Sequence, residues 1–226
     1  MSDDDLVRHS KAKSVEIISD PDERARREAF NALVQTDRVN SYILDAISGQ
    51  RPFRLRASII LDLNRCAVDG IETYAGNYRP GEIEIGKSSH VPPPPYLVPG
   101  MVEDLCDYIN DQWQSKSSTH LAAYSLWRMN WIHPFTDGNG RTARAVSYLV
   151  LCAHAKIFMP GARTIPDQII DARSEYYSAL EDADKKWKER DCPVEVCFQL
   201  ESMLKDMLAT QITSSYSLAT GDEEDG

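Results

Sequence analysis

A mostly α-helical domain carrying one small β-hairpin is what the sequence predicts, on three observations. Apolar residues recur at three- and four-residue steps along most of the chain, the spacing that lines one face of a helix. One stretch only, Glu82-Ile83-Glu84-Ile85, alternates polar and apolar as a half-buried strand does. With 42% hydrophobic residues among 226, the chain can bury a substantial core, which excludes a disordered protein.

Asp20-Pro21 has the form of a helix cap followed by a first-turn proline. Ala25, Ala29, Leu33, Ile43 and Ile47 then keep helical spacing to Gly49, giving one long helix or a broken pair. Leu55, Ile59, Leu63 and Ala67 predict a second amphipathic helix ending at Gly70. From Tyr74 to Val91 the helical period fails and a short hairpin is expected, with VPPPPYLVPG behind it as a stiff extended strut. Helical spacing resumes through Val102, Leu105, Ile109 and Trp113, and again from Leu121 through Leu126 and Met129 to Trp131. Ala145, Leu149 and Ala153 mark a further helix, Ile169, Arg173, Tyr177 and Leu180 another reaching Trp187. A last one, from near Pro193, carries Val196, Leu200, Leu204 and Met207 to about Ile212. The end has little to bury and carries Asp222, Glu223, Glu224 and Asp225, so a mobile acidic tail is expected. The chain thus divides into an N-terminal helical extension over 1–50, a domain over 51–212 and a tail over 213–226.

Lys and Arg number 25 against 35 Asp and Glu, a net charge of 25 − 35 = −10, which opposes general adhesion to nucleic acid or to an anionic membrane. Arg24, Arg26 and Arg27 cluster, but Glu23 and Glu28 flank them. A phosphate site in such a chain has to be a local basic pocket. The five cysteines (Cys66, Cys106, Cys152, Cys192, Cys197) are odd in number, lack a CxxC pair and sit mostly among apolar residues, as buried thiols in a reducing compartment do. The start, MSDDDLVRHSKAK, lacks the apolar stretch of a signal peptide, and no run of about 18 apolar residues occurs. A soluble cytoplasmic protein is expected.

Chemistry concentrates in HPFTDGNGRTAR, His133 to Arg144. Gly138, Asn139 and Gly140 fall between two helices and lead into the amino terminus of a helix expected to start near Arg141. Unpaired amides and the positive end of the helix dipole meet there. Glycine lets backbone approach a phosphate closely, and Arg141 and Arg144, three apart, add charge on one side of the first turn. Asp137 would be repelled by bound phosphate unless a hard cation lay between, and Mg²⁺ is commonly held by one or two carboxylates plus phosphate oxygens. His133, with an ordinary pKa of about 6.5, suits removal of a proton from an incoming hydroxyl. A plain turn needs neither the His-Pro-Phe before it nor the Arg-x-x-Arg after it; Phe135 reads as an apolar anchor in either case.

These residues are identified as the signature of the Fic family, HPFx(D/E)GNGRxxR, matched at every fixed position. The resemblance extends outward: YAGNYR with the hairpin and HVPPPP looks like the family's flap region, and RSEYYSAL resembles its helix near the adenine pocket, so that about residues 51 to 210 are covered. It implies a Fic-type helical core with a small β-hairpin flap, and transfer of AMP from ATP to a Ser, Thr or Tyr hydroxyl of a target protein with release of pyrophosphate. By position, His133 would be the general base and Asp137 the Mg²⁺ ligand. Gly138, Asn139 and Gly140 would form the anion hole, Arg141 would grip the phosphates, and Arg144 would meet the γ-phosphate. Tyr176 or Tyr177 would line the base pocket or sit in the helical core. The flap residues Ile83, Glu84, Ile85 and Gly86 would align the target by strand addition.

Other members move UMP, phosphocholine or a terminal phosphate, and Gly140, where the phosphorylating branch carries Lys, points to AMP. Removal of AMP from a target, or a non-catalytic adaptor on the same fold, are the remaining alternatives. Many relatives are restrained by a helix bearing (S/T)xxxE(G/N), and no full match occurs. Ser19 to Glu23 has the spacing, but Arg24 replaces the small residue and Pro21 lies inside it. The resemblance therefore implies either an antitoxin-like partner that supplies the glutamate, or an unrestrained enzyme.

Overall fold

The computed structural model describes residues 10–11, 17–159, 163–190 and 196–220. Its elements are β1 (Ser10–Lys11), α1 (Pro21–Ser48), α2 (Ala57–Val68), β2 (Glu84–Ile85), α3 (Val98–Asp111), α4 (Ser118–Ile132), α5 (Asn139–Ala155), α6 (Ile165–Asp171), α7 (Arg173–Arg190) and α8 (Phe198–Thr220). A helix that is apolar on every side must lie at the centre of a bundle, and two of them are. In α4, Leu121, Ala122, Ala123, Leu126, Trp127, Met129 and Ile132 are buried, and in α5 so are Ala143, Val146, Leu149, Val150, Leu151 and Cys152. These helices pack against each other as the central pair. The hydroxyls of Ser125 and Ser147 are buried with them, and both donate to the Ala122 carbonyl at 2.9 Å, so no polar cost remains there.

The outer helices cover this pair: α1 lies on α2 and α5, α3 on α4, and α8 on α4 and α7. Between α4 and α7 the Arg128 guanidinium sits over the rings of Trp131 at 4.4 Å, Trp187 at 4.8 Å and Trp127 at 5.6 Å, a cation held by three aromatic faces. The Trp127 indole N–H donates to Asp184 at 2.8 Å and joins the same two helices. Cys66, Cys106, Cys152 and Cys197 are buried free thiols, and burial pushes Cys106 up to about 12 and Cys152 to about 11, which leaves them unreactive. Cys192 lies outside the described residues.

The helical core is the expected one, but five details differ. The face of α1 that packs carries Asn31, Gln35, Val39 and Ile43, whereas Leu33 is 68% exposed and Ala25 and Ala29 are also exposed. Part of the reason is polar: the Asn31 amide donates to the Asp69 carbonyl at 2.9 Å, an acceptor at the end of α2 that an apolar face would strand, and Gln35 donates to the Leu63 carbonyl within α2 at 2.9 Å. β2 finds its antiparallel partner in Ser10–Lys11, not in a second flap strand: Ser10 pairs with Ile85 and Lys11 with Glu84, so the expected hairpin is a pairing of segments far apart in sequence. The proline strut ends early, since Pro95–Leu97 form a 3₁₀ turn running into α3 at Val98. The helix expected through Ile169 and Tyr177 is two, broken at Ala172, where ψ turns to 42°. Finally, α8 continues to Thr220, so residues 213–220 are helix instead of tail; the acidic end at 221–226 lies outside the described residues.

These placements fix an expected contrast. Leu126→Ala, at a fully buried position of α4, should lower stability by about 2–5 kcal/mol. Leu33→Ala should change it by less than about 0.5 kcal/mol. The shift in urea midpoint at constant slope is the measurement.

Candidate active site

The loop joining α4 to α5 carries the site. α4 closes at His133, whose φ of 51° lies in the left-handed region and whose N–H still donates to the Met129 carbonyl at 3.0 Å. Pro134 follows and cannot continue the helix. His133 is 6% exposed, and its Nδ1 is 3.3 Å from the Asn130 carbonyl oxygen. A carbonyl can only accept, so Nδ1 carries the proton and Nε2 is the basic nitrogen. Burial is the main influence on its pKa and pushes it down to about 4; Arg79 and His90 act the same way, against the opposing pull of the Asn130 carbonyl and Asp137. The ring is therefore neutral at neutral pH.

The loop has almost no regular structure of its own, and side chains hold it. Asn139 accepts from the Phe135 N–H at 2.9 Å and donates to the Phe135 carbonyl at 2.7 Å, closing the loop on itself. Phe135 is 1% exposed and stacks on Tyr78, the anchor the sequence predicted. Asn64 of α2 donates to the Asp137 carbonyl at 3.0 Å and accepts from the Gly76 N–H at 3.1 Å. Arg79, buried, donates to the His133 carbonyl at 2.8 Å, to Gly81 at 2.9 Å and to Pro93, strapping the flap to the loop. Gly138 has φ 77°, and a Cβ there would come within 2.7 Å of Val68, so only glycine fits.

α5 begins two residues earlier than expected: Asn139 and Gly140 are its first residues, with Gly138 as cap. Its first-turn amides face a cavity of about 690 Å³ lined by His133, Asp137, Gly138, Asn139, Gly140, Arg141 and Arg144. That volume is in the range of a nucleotide-sized ligand. The Asp137 carboxylate accepts from Gly138 N–H at 2.6 Å and pairs with Arg141 at 3.2 Å and Arg24 at 3.5 Å. Arg141 also donates to the Ala67 carbonyl at 3.1 Å. Tyr176 and Tyr177 both line the cavity; Tyr176 is buried and accepts from Asn130 at 2.9 Å, so it is core and wall at once. Of the flap residues, Ile85 reaches the cavity, Ile83 is buried and Glu84 is exposed. His90, behind the flap, donates to the Trp131 carbonyl at 2.7 Å and lies 3.7 Å from Asp184.

No cluster of three or more His, Cys, Asp or Glu able to hold a metal occurs among the described residues. A lone carboxylate beside a helix amino terminus suits Mg²⁺ that takes its other ligands from phosphate and water. Arg24, Asn64, Arg79 and His90 are the residues that reading the motif did not supply. Each reaches the loop or cavity from another segment; Arg79 of YAGNYR, His90 of HVPPPP and Arg24 of the basic cluster lay in stretches the sequence had marked, and Asn64 did not.

Fold and site together define a helical protein with one anion-ready cavity beside a buried neutral histidine. Residues 54–151 match the model of the Fic/DOC family. It is 25% identical over 154 residues to the protein adenylyltransferase fic-1 of Caenorhabditis briggsae, covering 66% of this chain and 28% of that protein. It is 40% identical over 82 residues to protein adenylyltransferase Fic of Nematostella vectensis, covering 34% and 18%. The chain thus spans under a third of the length of these relatives. Among solved structures, a Fic-domain signaling protein from Bacteroides thetaiotaomicron shares the fold with a TM-score of 0.71 at 22% identity, over 90% of this chain and 76% of that one. Fic-1 of Caenorhabditis elegans does so with a TM-score of 0.66 at 20% identity, over 91% and 55%.

Two outcomes are expected. In the unfolded chain His133 would titrate near 6.5, so between that pH and about 4 the unfolded state binds the proton first. Its contribution is complete above pH 6.5 and is lost as pH falls towards 4, by roughly 3 kcal/mol. Burial lowers His120 as well, so stability as a whole should fall in this window. Comparing wild type with His133→Ala by denaturation at each pH should show the shallower dependence in the variant. Arg79→Ala strands buried carbonyls and should cost on the order of 3 kcal/mol, read from the same curves.

Proposed function

We propose that this chain transfers AMP from Mg-ATP to a hydroxyl side chain of a target protein. The observation that carries the reading is the neutral His133, its Nδ1 proton tied to a carbonyl, in one cavity with the α5 amino terminus and Arg141 and Arg144. The target hydroxyl oxygen attacks the α-phosphorus, its proton passes to His133 Nε2, the bond to the β-phosphate oxygen breaks, and pyrophosphate leaves. The protein does little covalent chemistry and much positioning. The amides of Asn139 and Gly140 receive the phosphate oxygens, Arg141 and Arg144 balance the charge, and Tyr177 with Tyr176 borders the base. Asp137 would hold Mg²⁺, which supplies charge neutralisation of the phosphates when bound.

The target segment is proposed to add to β2 through main-chain hydrogen bonds, at the edge opposite Ser10–Lys11. Glu23 is exposed in the first turn of α1 and does not line the cavity, so the Ser19–Glu23 stretch is not placed to restrain the site; restraint by a separate antitoxin-like partner, or none, is proposed. No helix among the described residues is long and apolar enough to cross a membrane.

ATP labelled at the α- or γ-phosphate, incubated with the chain, Mg²⁺ and a lysate, tests the reaction. Label on protein from the α position alone is expected, with a loss of at least about 100-fold in His133→Ala. Label from the γ position would assign phosphate transfer instead, and undiminished labelling by His133→Ala would remove the histidine from its role.

A further inference from the structure

We propose that Arg24, delivered from α1, is a phosphate-binding residue of the nucleotide site, with Glu28 as its positioning partner. The inference rests on the reading of the cavity as a nucleotide site.

Arg24 and Glu28 lie one helical turn apart in the first two turns of α1, outside the residues that match the family model, and both line the cavity that holds Asp137, Arg141 and Arg144. The Arg24 guanidinium is placed by two carboxylates: Nε donates to Glu28 at 3.3 Å, and Nη2 lies 3.5 Å from Asp137 Oδ2. Asp137 Oδ2 is the same oxygen that Arg141 meets at 3.2 Å, so two guanidinium groups converge on one oxygen at the mouth of the α5 helix. In the ligand-free chain Asp137 partly neutralises both. A phosphate chain in the cavity with a cation on Asp137 withdraws that carboxylate from the arginines and offers phosphate oxygens in its place. A guanidinium presents several donors in a rigid plane, which suits a phosphate better than a single carboxylate oxygen at 3.5 Å does.

The arginine also sits on a fixed support. Asp20 caps α1 by accepting from the Glu23 N–H at 2.8 Å, and Asn31, Gln35 and Tyr42 bond α1 to α2 further along. A residue one turn into so anchored a helix enters the cavity at a set place. Glu28 keeps the side chain turned inward without meeting the phosphates itself, since like charge would repel it from them.

Isothermal titration calorimetry of the full chain with Mg²⁺ and a non-hydrolysable ATP analogue tests this without any target protein, with adenosine as the phosphate-free probe. Arg24→Ala should weaken the analogue about 10-fold and leave adenosine unchanged, and Arg24→Lys should recover part of the loss. Glu28→Gln should fall between, and Arg26→Ala, on the exposed side of the same helix, should match wild type. Equal affinity of Arg24→Ala and wild type for the analogue would overturn the proposal, as would tighter binding by the variant, which would make Arg24 a competitor for Asp137. Parallel weakening of adenosine would overturn it too, as the mark of a structural role. A wild-type chain that binds neither probe would bring down the nucleotide-site reading itself.

Discussion

The structure depends on how a buried loop between two buried helices satisfies its backbone. Residues 133 to 138 cannot form ladder or helix bonds among themselves, yet all of them but Asp137 are buried, where each unmet N–H or C=O is expensive. Asn139 from within, Asn64 from α2 and Arg79 from the flap supply the missing partners. Those three side chains keep His133 in its left-handed corner and hold Asp137 at the cavity. The shape of the loop is thus set by side chains from three separate segments.

Much of the fold was legible because spacing reports local structure. The Asp20-Pro21 start and Gly49 stop of α1 and the apolar faces of α2 to α5 follow from residues a few positions apart. The register of the first half of α1 was not legible, because its inner face there is Asn31 and Gln35, which bond to carbonyls of α2 and its cap, and apolar residues take over only at Val39 and Ile43. Nor was the partner of β2, which lies far away in sequence at Ser10–Lys11. A two-residue strand carries too little pattern to name its mate. The break at Ala172 left the apolar spacing on either side intact, which is why one helix was read where two exist.

The candidate site divides the same way. Its contiguous part, His133 to Arg144, could be read from the order of residues alone, and the structure brings His133, Asp137, Arg141 and Arg144 to one cavity. The parts contributed by Asn64 and Arg24 have no local signature, since an asparagine or an arginine in a helix is ordinary until its neighbours across space are known; Arg79 lay in the YAGNYR stretch, but its bonds to the loop were not legible there. Charge was informative at a coarser level. In a chain of net charge −10, Arg24, Arg141, Arg144 and Arg173 around one cavity outnumber the carboxylates that line it, Glu28, Asp137 and Asp184, which makes it a locally basic pocket.

The arrangement around Arg128 has an optical consequence. Three of the four tryptophans, Trp127, Trp131 and Trp187, form one group, with ring centroids 5.4 Å apart for the first and third and 6.5 Å for the second and third. Indoles this close share excitation, and Trp131 is also part of the cavity wall. The intrinsic emission of the protein is therefore weighted towards the joint of α4 with α7 beside the candidate site, and what fills the cavity should be visible in the light the protein itself gives off.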